Sequence, residues 1–165
     1  MKEFLKDIAI ILVIVLGISF FIKPIIVKGS SMVPTLENKD YLLINKQAYN
    51  FGKPERGDIV VFPHEEGTGT KSLYIKRVIA IPGDKLEIKN GKVYINNEEQ
   101  TENYIQNGAI TSGDIDYIIP KGEIFVMGDN RENSSDSRYF GTVTIDDVTG
   151  EVMVRLLPFN KIGTV

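Results

Sequence analysis

The chain opens on an apolar run and then changes its period. No charged residue occurs from position 8 to 22, and Phe4, Leu5 and residues 25–27 extend the apolar stretch on either side. As a helix rising about 1.5 Å per residue, the uncharged run spans roughly 22 Å. That is short for a bilayer, but Lys6 and Lys23 flank it with stems that reach the headgroups. The pattern therefore predicts a membrane-spanning helix within residues 1–24. A cleaved secretory leader shares the layout of basic residues followed by an apolar run. Cleavage near Val27 or Gly29 would leave Ser30 and Ser31 at a frayed terminus, which favours the anchor. Lysines lie on both sides of the run, so charge alone does not orient it.

Past Pro24 no window carries a 3.6-residue apolar period. Short β-branched runs bounded by turn residues recur instead, at 25–28, 40–45, 58–62, 74–81, 85–89, 92–95, 124–127 and 148–155. The expected fold is mainly β. The sharpest local signal is E87-I-K-N-G-K-V-Y-I95, where Asn90-Gly91 supplies the two positive φ values of a two-residue hairpin turn. That register places Leu86, Ile88, Val93 and Ile95 on one face. Residues 98–113 are polar and read as a loop. The layout is thus an anchor at 1–24, a β core at 25–83 and 122–158, a small inserted β subdomain at 84–121, and a tail at 159–165.

Length and charge narrow the function. The 165 residues support one compact domain, or one domain plus a small satellite. With 19 basic against 22 acidic residues and no basic block, nothing invites a nucleic-acid backbone. The absence of cysteine excludes disulfides and thiolate zinc sites. The acidic segment M127-G-D-N-R-E-N-S-S-D-S-R-Y-F-G141 has Arg131 where a calcium loop needs an oxygen ligand, so no metal is expected there, and no cofactor is implied elsewhere. The single histidine, His64, falls in a loop expected from Pro63 to Thr70 and receives no catalytic role.

Two other segments carry candidate chemistry. In V27-K-G-S-S-M-V-P-T-L36 two serines follow a glycine, and a nucleophilic serine needs a group to take its proton. In Y74-I-K-R-V-I-A-I81 two adjacent cations interrupt a run resembling a strand covered on both faces. Alternation sends Tyr74, Lys76, Val78 and Ala80 to one side and Ile75, Arg77, Ile79 and Ile81 to the other. Arg77 stays charged and must find a carboxylate. Lys76 either reaches water from a strand end or is desolvated toward its neutral form. At a reference pKa near 10.4 about one lysine in 2,500 is neutral at pH 7, whereas a drop of about 3 units makes roughly a third neutral. A neutral buried amine is a general base.

In order along the chain, an apolar segment is followed by G-S-S-M-V-P-T-L, R56-G-D-I-V-V-F62, Y-I-K-R-V-I-A-I-P-G-D and G-D-N-R-E-N-S-S-D-S-R-Y-F-G. This series resembles the bacterial type I signal peptidases, the membrane-bound Ser/Lys endopeptidases that remove signal peptides from exported proteins. The short insert and lone anchor are similar to the Gram-positive members. The resemblance implies the all-β catalytic fold of that family, with Ser31 as nucleophile and Lys76 as general base. It implies that Ser134 hydrogen-bonds and orients the Lys76 amine, that Asp129 pairs with Arg77, and that Asp136 pairs with Arg138. The Ser31 N–H would serve the oxyanion, while Gly29 stands where Gram-negative members add a serine hydroxyl.

The implied partners are secretory preproteins and membrane phospholipid, and the implied location is the cell membrane, with a single pass and the catalytic domain on the extracytoplasmic face. A signal peptide lying as an extended strand beside the catalytic residues would point its −1 and −3 side chains to one side, into shallow pockets that accept Ala-x-Ala. The resemblance nominates Ile25, Val27, Gly29, Met32, Tyr74 and Ile75 for binding, although a core position would leave the same trace at the apolar ones. Two other functions suit the sequence: a Ser/Lys self-cleaving repressor-type protease, which the apolar segment disfavours, and a catalytically silent homologue that holds signal peptides. The L156-L-P-F159 stretch suits either a lipid contact or the core.

Overall fold

The structure is a computed structural model and describes every residue except 66 and 68. Helix α1 is Lys2–Phe21, and its stretch Glu3–Phe21 is apolar enough and long enough to cross a membrane, with none of it buried against the rest of the chain. Pro24 stops the helix, because its ring disfavours helical backbone at Lys23. Ile22 is already extended, and the chain runs directly into β1, Ile22–Ile26. The last carbonyls of α1 find partners in the turn after β2, Tyr41–Asn45. The Lys46 N–H donates to the Phe21 carbonyl at 2.8 Å, and the Gln47 side chain donates to Phe20 at 3.3 Å. Satisfying these orphan carbonyls ties the helix end to the β core.

A short helix α2, Ala48–Phe51, leads to β3, Ile59–Glu65, and β4, Lys71–Ala80. Next come β5, Lys85–Lys89, β6, Lys92–Ile95, β7, Glu98–Glu99, and β8, Ile115–Ile118. Then β9, Glu123–Met127, a helical turn α3, Ser137–Phe140, β10, Val143–Thr144, and β11, Gly150–Leu157, complete the fold. Seven strands form one antiparallel sheet in the order β1-β2-β11-β3-β4-β9-β10, and four form a second in the order β7-β6-β5-β8. The fold is mainly β with one apolar N-terminal helix, as its residues predict.

The strand limits moved for identifiable reasons. The first strand begins three residues before the expected 25–28, and Pro24 sits inside it. Proline lacks the ladder N–H and is tolerated because β1 is the edge of its sheet. β3 continues past Phe62 through Pro63 and His64, which pairs with Ser72, so His64 lies on a strand and not in a loop. Its ring packs 4.9 Å from Tyr74 and 4.2 Å from Phe140. A bulge between Val78 and Ala80 breaks the expected alternation, and Ile79 and Ala80 both enter the same core cluster. Residues 98–113 contain a two-residue strand and a buried threonine, Thr111. The Asn90-Gly91 hairpin has the expected register, Leu86 facing Ile95 and Ile88 facing Val93.

The core follows from these alternations. Ile59, Val61 and Ile75 pack with Met32, Leu36, Leu42 and Ile44 on one face of the large sheet. Val60, Phe62, Val78, Ile124 and Val126 pack on the other. A third cluster joins the sheets, with Leu86, Ile88, Val93 and Ile95 against Ile79, Phe125 and Met127. Among the described residues β1 is the sheet edge next to β2, and the β4 register with β9 begins at Arg77, beyond the Lys71-to-Lys76 half of β4.

Candidate active site

The serine loop is fixed by what surrounds it. The Val27 N–H donates to the Asp40 carbonyl at 2.9 Å and the Lys39 N–H returns to Val27 at 2.9 Å, so the chain leaves β1 already tethered. Met32 and Leu36, 2% and 0% exposed, anchor the far side in the core, and the Leu36 N–H donates to Met32 at 2.8 Å. Gly29 takes φ +89°, a conformation that glycine adopts without strain. Between these anchors Ser31 is half-buried and Ser30 is exposed.

Lys76 enters from the middle of the large sheet and is 3% exposed. Its Nζ donates to Ser31 Oγ at 2.7 Å and lies 4.9 Å from the Tyr74 ring centre. Arg77 points elsewhere, as strand alternation requires. Its guanidinium donates to both Asp129 oxygens at 2.9 and 2.7 Å and to the Gly57 carbonyl at 2.8 Å, and the Thr35 hydroxyl also donates to Asp129. With side chains 8% and 0% exposed, this is a desolvated bidentate pair.

The segment after β9 folds under the serine loop. The Asn130 N–H donates to the Ser31 carbonyl at 3.0 Å, while the Asn130 and Asn133 amides hold the Ser30 carbonyl and hydroxyl at 3.1 and 3.0 Å. Asp136 accepts the Gly128 N–H at 3.0 Å and pairs with Arg138, whose other arm reaches the Arg131 carbonyl at 2.8 Å. At Gly128 a side chain has no room: a Cβ there would fall under 3.0 Å from both the Ser31 carbonyl oxygen and Ser134 Oγ. Ser134 thus lies beside the serine loop, but the bond expected from it to Lys76 is not made. Its Oγ is buried with no hydrogen-bond partner among the described residues.

Sequence reasoning missed a second group. Arg131 is fully buried and pairs with Glu102, with Thr111 and the Gly128 carbonyl as further acceptors. Burial works against its charge, yet the Glu102 carboxylate outweighs it and holds the guanidinium above its ordinary pKa. Tyr104 donates to Glu102 at 2.7 Å, and burial with that carboxylate pushes its hydroxyl above the usual phenol range. The only local signal was an arginine among acids in a segment too polar for a strand. Glu102, Tyr104 and Thr111 sit in a stretch without periodicity.

Beside Ser31 and Lys76 lies an open cleft of about 990 Å³ between β1 and the Lys71-to-Lys76 half of β4. Ile25, Val27, Gly29, Met32, Tyr74 and Ile75 all contribute to its lining. Among the described residues no group of His, Cys, Asp or Glu is arranged to hold a metal ion. The arrangement provides a hydroxyl in contact with a buried amine, both lining an open cleft.

Comparison with known proteins agrees in extent. The family model for signal peptidase, peptidase S26, matches residues 1–157. The chain is 37% identical to a signal peptidase I of Leptolyngbya laminosa, over 99% of this chain and 83% of that one. It is 36% identical to signal peptidase IB of Staphylococcus aureus, over 96% and 91%. A crystal structure of a signal peptidase I from Enterococcus faecalis superposes with a TM-score of 0.51 at 32% identity, covering 60% of this chain and 96% of that one. The chain therefore belongs to the signal peptidase family of serine peptidases, peptidase S26.

Proposed function

We propose that the protein is a membrane-anchored endopeptidase that removes signal peptides from secretory preproteins, with Ser31 as nucleophile and Lys76 as general base. The observation that carries this reading is the 2.7 Å contact from Lys76 Nζ to Ser31 Oγ beside a cleft lined by β1 and β4. Ser31 Oγ attacks the scissile carbonyl as its proton passes to the neutral Lys76 amine. Withdrawal of the lysine side chain from water favours that neutral form. The Lys76 ammonium then protonates the departing amine, leaving an acyl-Ser31. Water attacks this ester with Lys76 again taking a proton, which passes to Ser31 Oγ as the acyl–oxygen bond breaks and the signal peptide leaves as a carboxylate. The Ser31 N–H stabilises the oxyanion.

Substrate enters as an extended strand in the cleft between β1 and the Lys71-to-Lys76 half of β4. Alternate side chains then face Ile25, Val27 and Ile75, two of them buried and all of them apolar, leaving room for small residues at −1 and −3. Helix α1 anchors the enzyme in the cell membrane by a single pass, with the β domain on the extracytoplasmic face where exported chains emerge. Leu156 and Phe159, 39% and 80% exposed, suit a lipid contact better than a core position. Incubation of the full chain in detergent with a secretory precursor, followed by sequencing of the product's new N-terminus, tests this reading. Cleavage after an Ala-x-Ala site supports it, and an intact precursor contradicts it.

A further inference from the structure

The stretch from Glu98 to Gly113 has no catalytic residue, no periodicity and, by composition, the character of a solvated loop. Three of its side chains nevertheless turn inward. Glu102 has a side chain 8% exposed, Thr111 is 1% exposed, and Tyr104 is half-buried between two arginines. The Tyr104 ring centre lies 4.2 Å from the Arg77 guanidinium and 5.9 Å from that of Arg131, and its hydroxyl donates to Glu102. Glu102 receives Arg131 through both oxygens, and Thr111 accepts from Arg131 at 2.6 Å.

Each arginine leads to one of the two reacting groups. Arg131 donates to the Gly128 carbonyl at 3.1 Å, and the next residue in the chain before it, Asn130, holds the Ser31 carbonyl at 3.0 Å. Arg77 adjoins Lys76 on β4 and is held by Asp129 from the same segment. An unpaired buried guanidinium is costly, so loss of Glu102 would drive Arg131 to seek water and carry residues 128–131 with it. We propose that Glu102 and Tyr104 are positioning residues, which make the strap between the second sheet and the core a clamp that sets the Ser31–Lys76 distance. This rests on the peptidase reading above and adds to it a role for the inserted module.

The test compares kcat and KM for a secretory precursor with an Ala-x-Ala site across the full-length wild type, Glu102→Gln, Glu102→Asp, Tyr104→Phe and Lys92→Ala in detergent, with melting curves for each. Lys92 pairs with Glu99 on the exposed side of the same module and serves as the control. Loosening a reacting pair by a fraction of an ångström lowers kcat while sparing KM, so Glu102→Gln is expected to lose roughly 10- to 100-fold in kcat with KM within about twofold. Glu102→Asp, which keeps the charge, recovers part of the loss, Tyr104→Phe loses severalfold, and Lys92→Ala matches wild type. A melting point that falls while kcat per folded molecule stays at the wild-type value, or a change confined to KM, overturns the proposal. If Glu102→Gln does not fold, Tyr104→Phe decides by the same criterion. A wild type that does not cut the precursor overturns the peptidase reading together with this one, whereas an active wild type with unimpaired Glu102→Gln and Tyr104→Phe overturns the clamp alone.

Discussion

Lys76 Nζ stands 2.7 Å from Ser31 Oγ although 45 residues separate the two along the chain. Lys76 is held by a strand paired with β3, and Ser31 by a loop whose flanks are bound to Asp40 and to the Met32–Leu36 core anchor, while the 128–131 segment reaches both, through Asp129 on Arg77 and the Asn130 N–H on the Ser31 carbonyl. Each of these holding devices is open to test.

The Arg77–Asp129 pair is one such device. Replacing Asp129 by alanine leaves a buried guanidinium without its carboxylate, and a loss of about 3–5 kcal/mol is expected in denaturant unfolding. Glu99→Ala, which breaks an exposed pair with Lys92, is expected to leave the unfolding midpoint unchanged.

Gly128 sits where a methyl group would press on both the Ser31 carbonyl and Ser134. Gly128→Ala is expected to displace the serine loop and lower kcat by on the order of 100-fold, with a smaller effect on KM. Steady-state kinetics on soluble, folded variant checks this; unchanged kcat would show that the loop absorbs the methyl group without moving Ser31.

How much of this was legible in advance depended on the range of each signal. The Asn90-Gly91 hairpin was readable because its turn chemistry and register are local. Lys76 and Arg77 were readable as a contradiction, two charges in an apolar strand, and both proved buried. His64 was misplaced because Pro63 signals a break, whereas the strand carries on through both residues. The 98–113 stretch is mostly turn and coil, as its composition predicts, but its inward pairing was not legible because Glu102 meets Arg131 29 residues away, and no local pattern marks such a pairing. Ser134 is close to the serine loop as its motif position suggests, but hydrogen bonding is set by side-chain rotation, which sequence does not encode.

Asp84 gives a pH dependence with a definite sign. It is largely buried, which alone would raise its pKa, but bonds from Arg56, the Ile81 N–H and Asn96 outweigh burial and hold it below its ordinary value of 3.8. A carboxyl whose folded pKa is depressed stabilises the fold above its unfolded pKa and loses that contribution as pH falls through the folded one. The stability difference between wild type and Asp84→Asn is therefore expected to be full at neutral pH and to shrink below about pH 4. Urea unfolding of both proteins across that range measures it; a difference that grows on acidification would reverse the sign.

The cleft makes a demand on the substrate. With Val27 4% and Ile75 9% exposed, the cleft walls that the proposed substrate strand would meet are packed in the core and leave little space to yield. Substituting leucine for alanine at −1 or −3 of a precursor is expected to lower kcat/KM by on the order of 100-fold, and the same change at −2 to do little.

The most direct measurement is precursor cleavage in detergent by wild type, Ser31→Ala and Lys76→Ala, each checked for folding by circular dichroism. The account predicts that wild type cuts after the −1 residue and that both variants, though folded, produce no product above background. Cleavage by either folded variant at the wild-type rate would contradict the assignment of Ser31 and Lys76 to the chemistry.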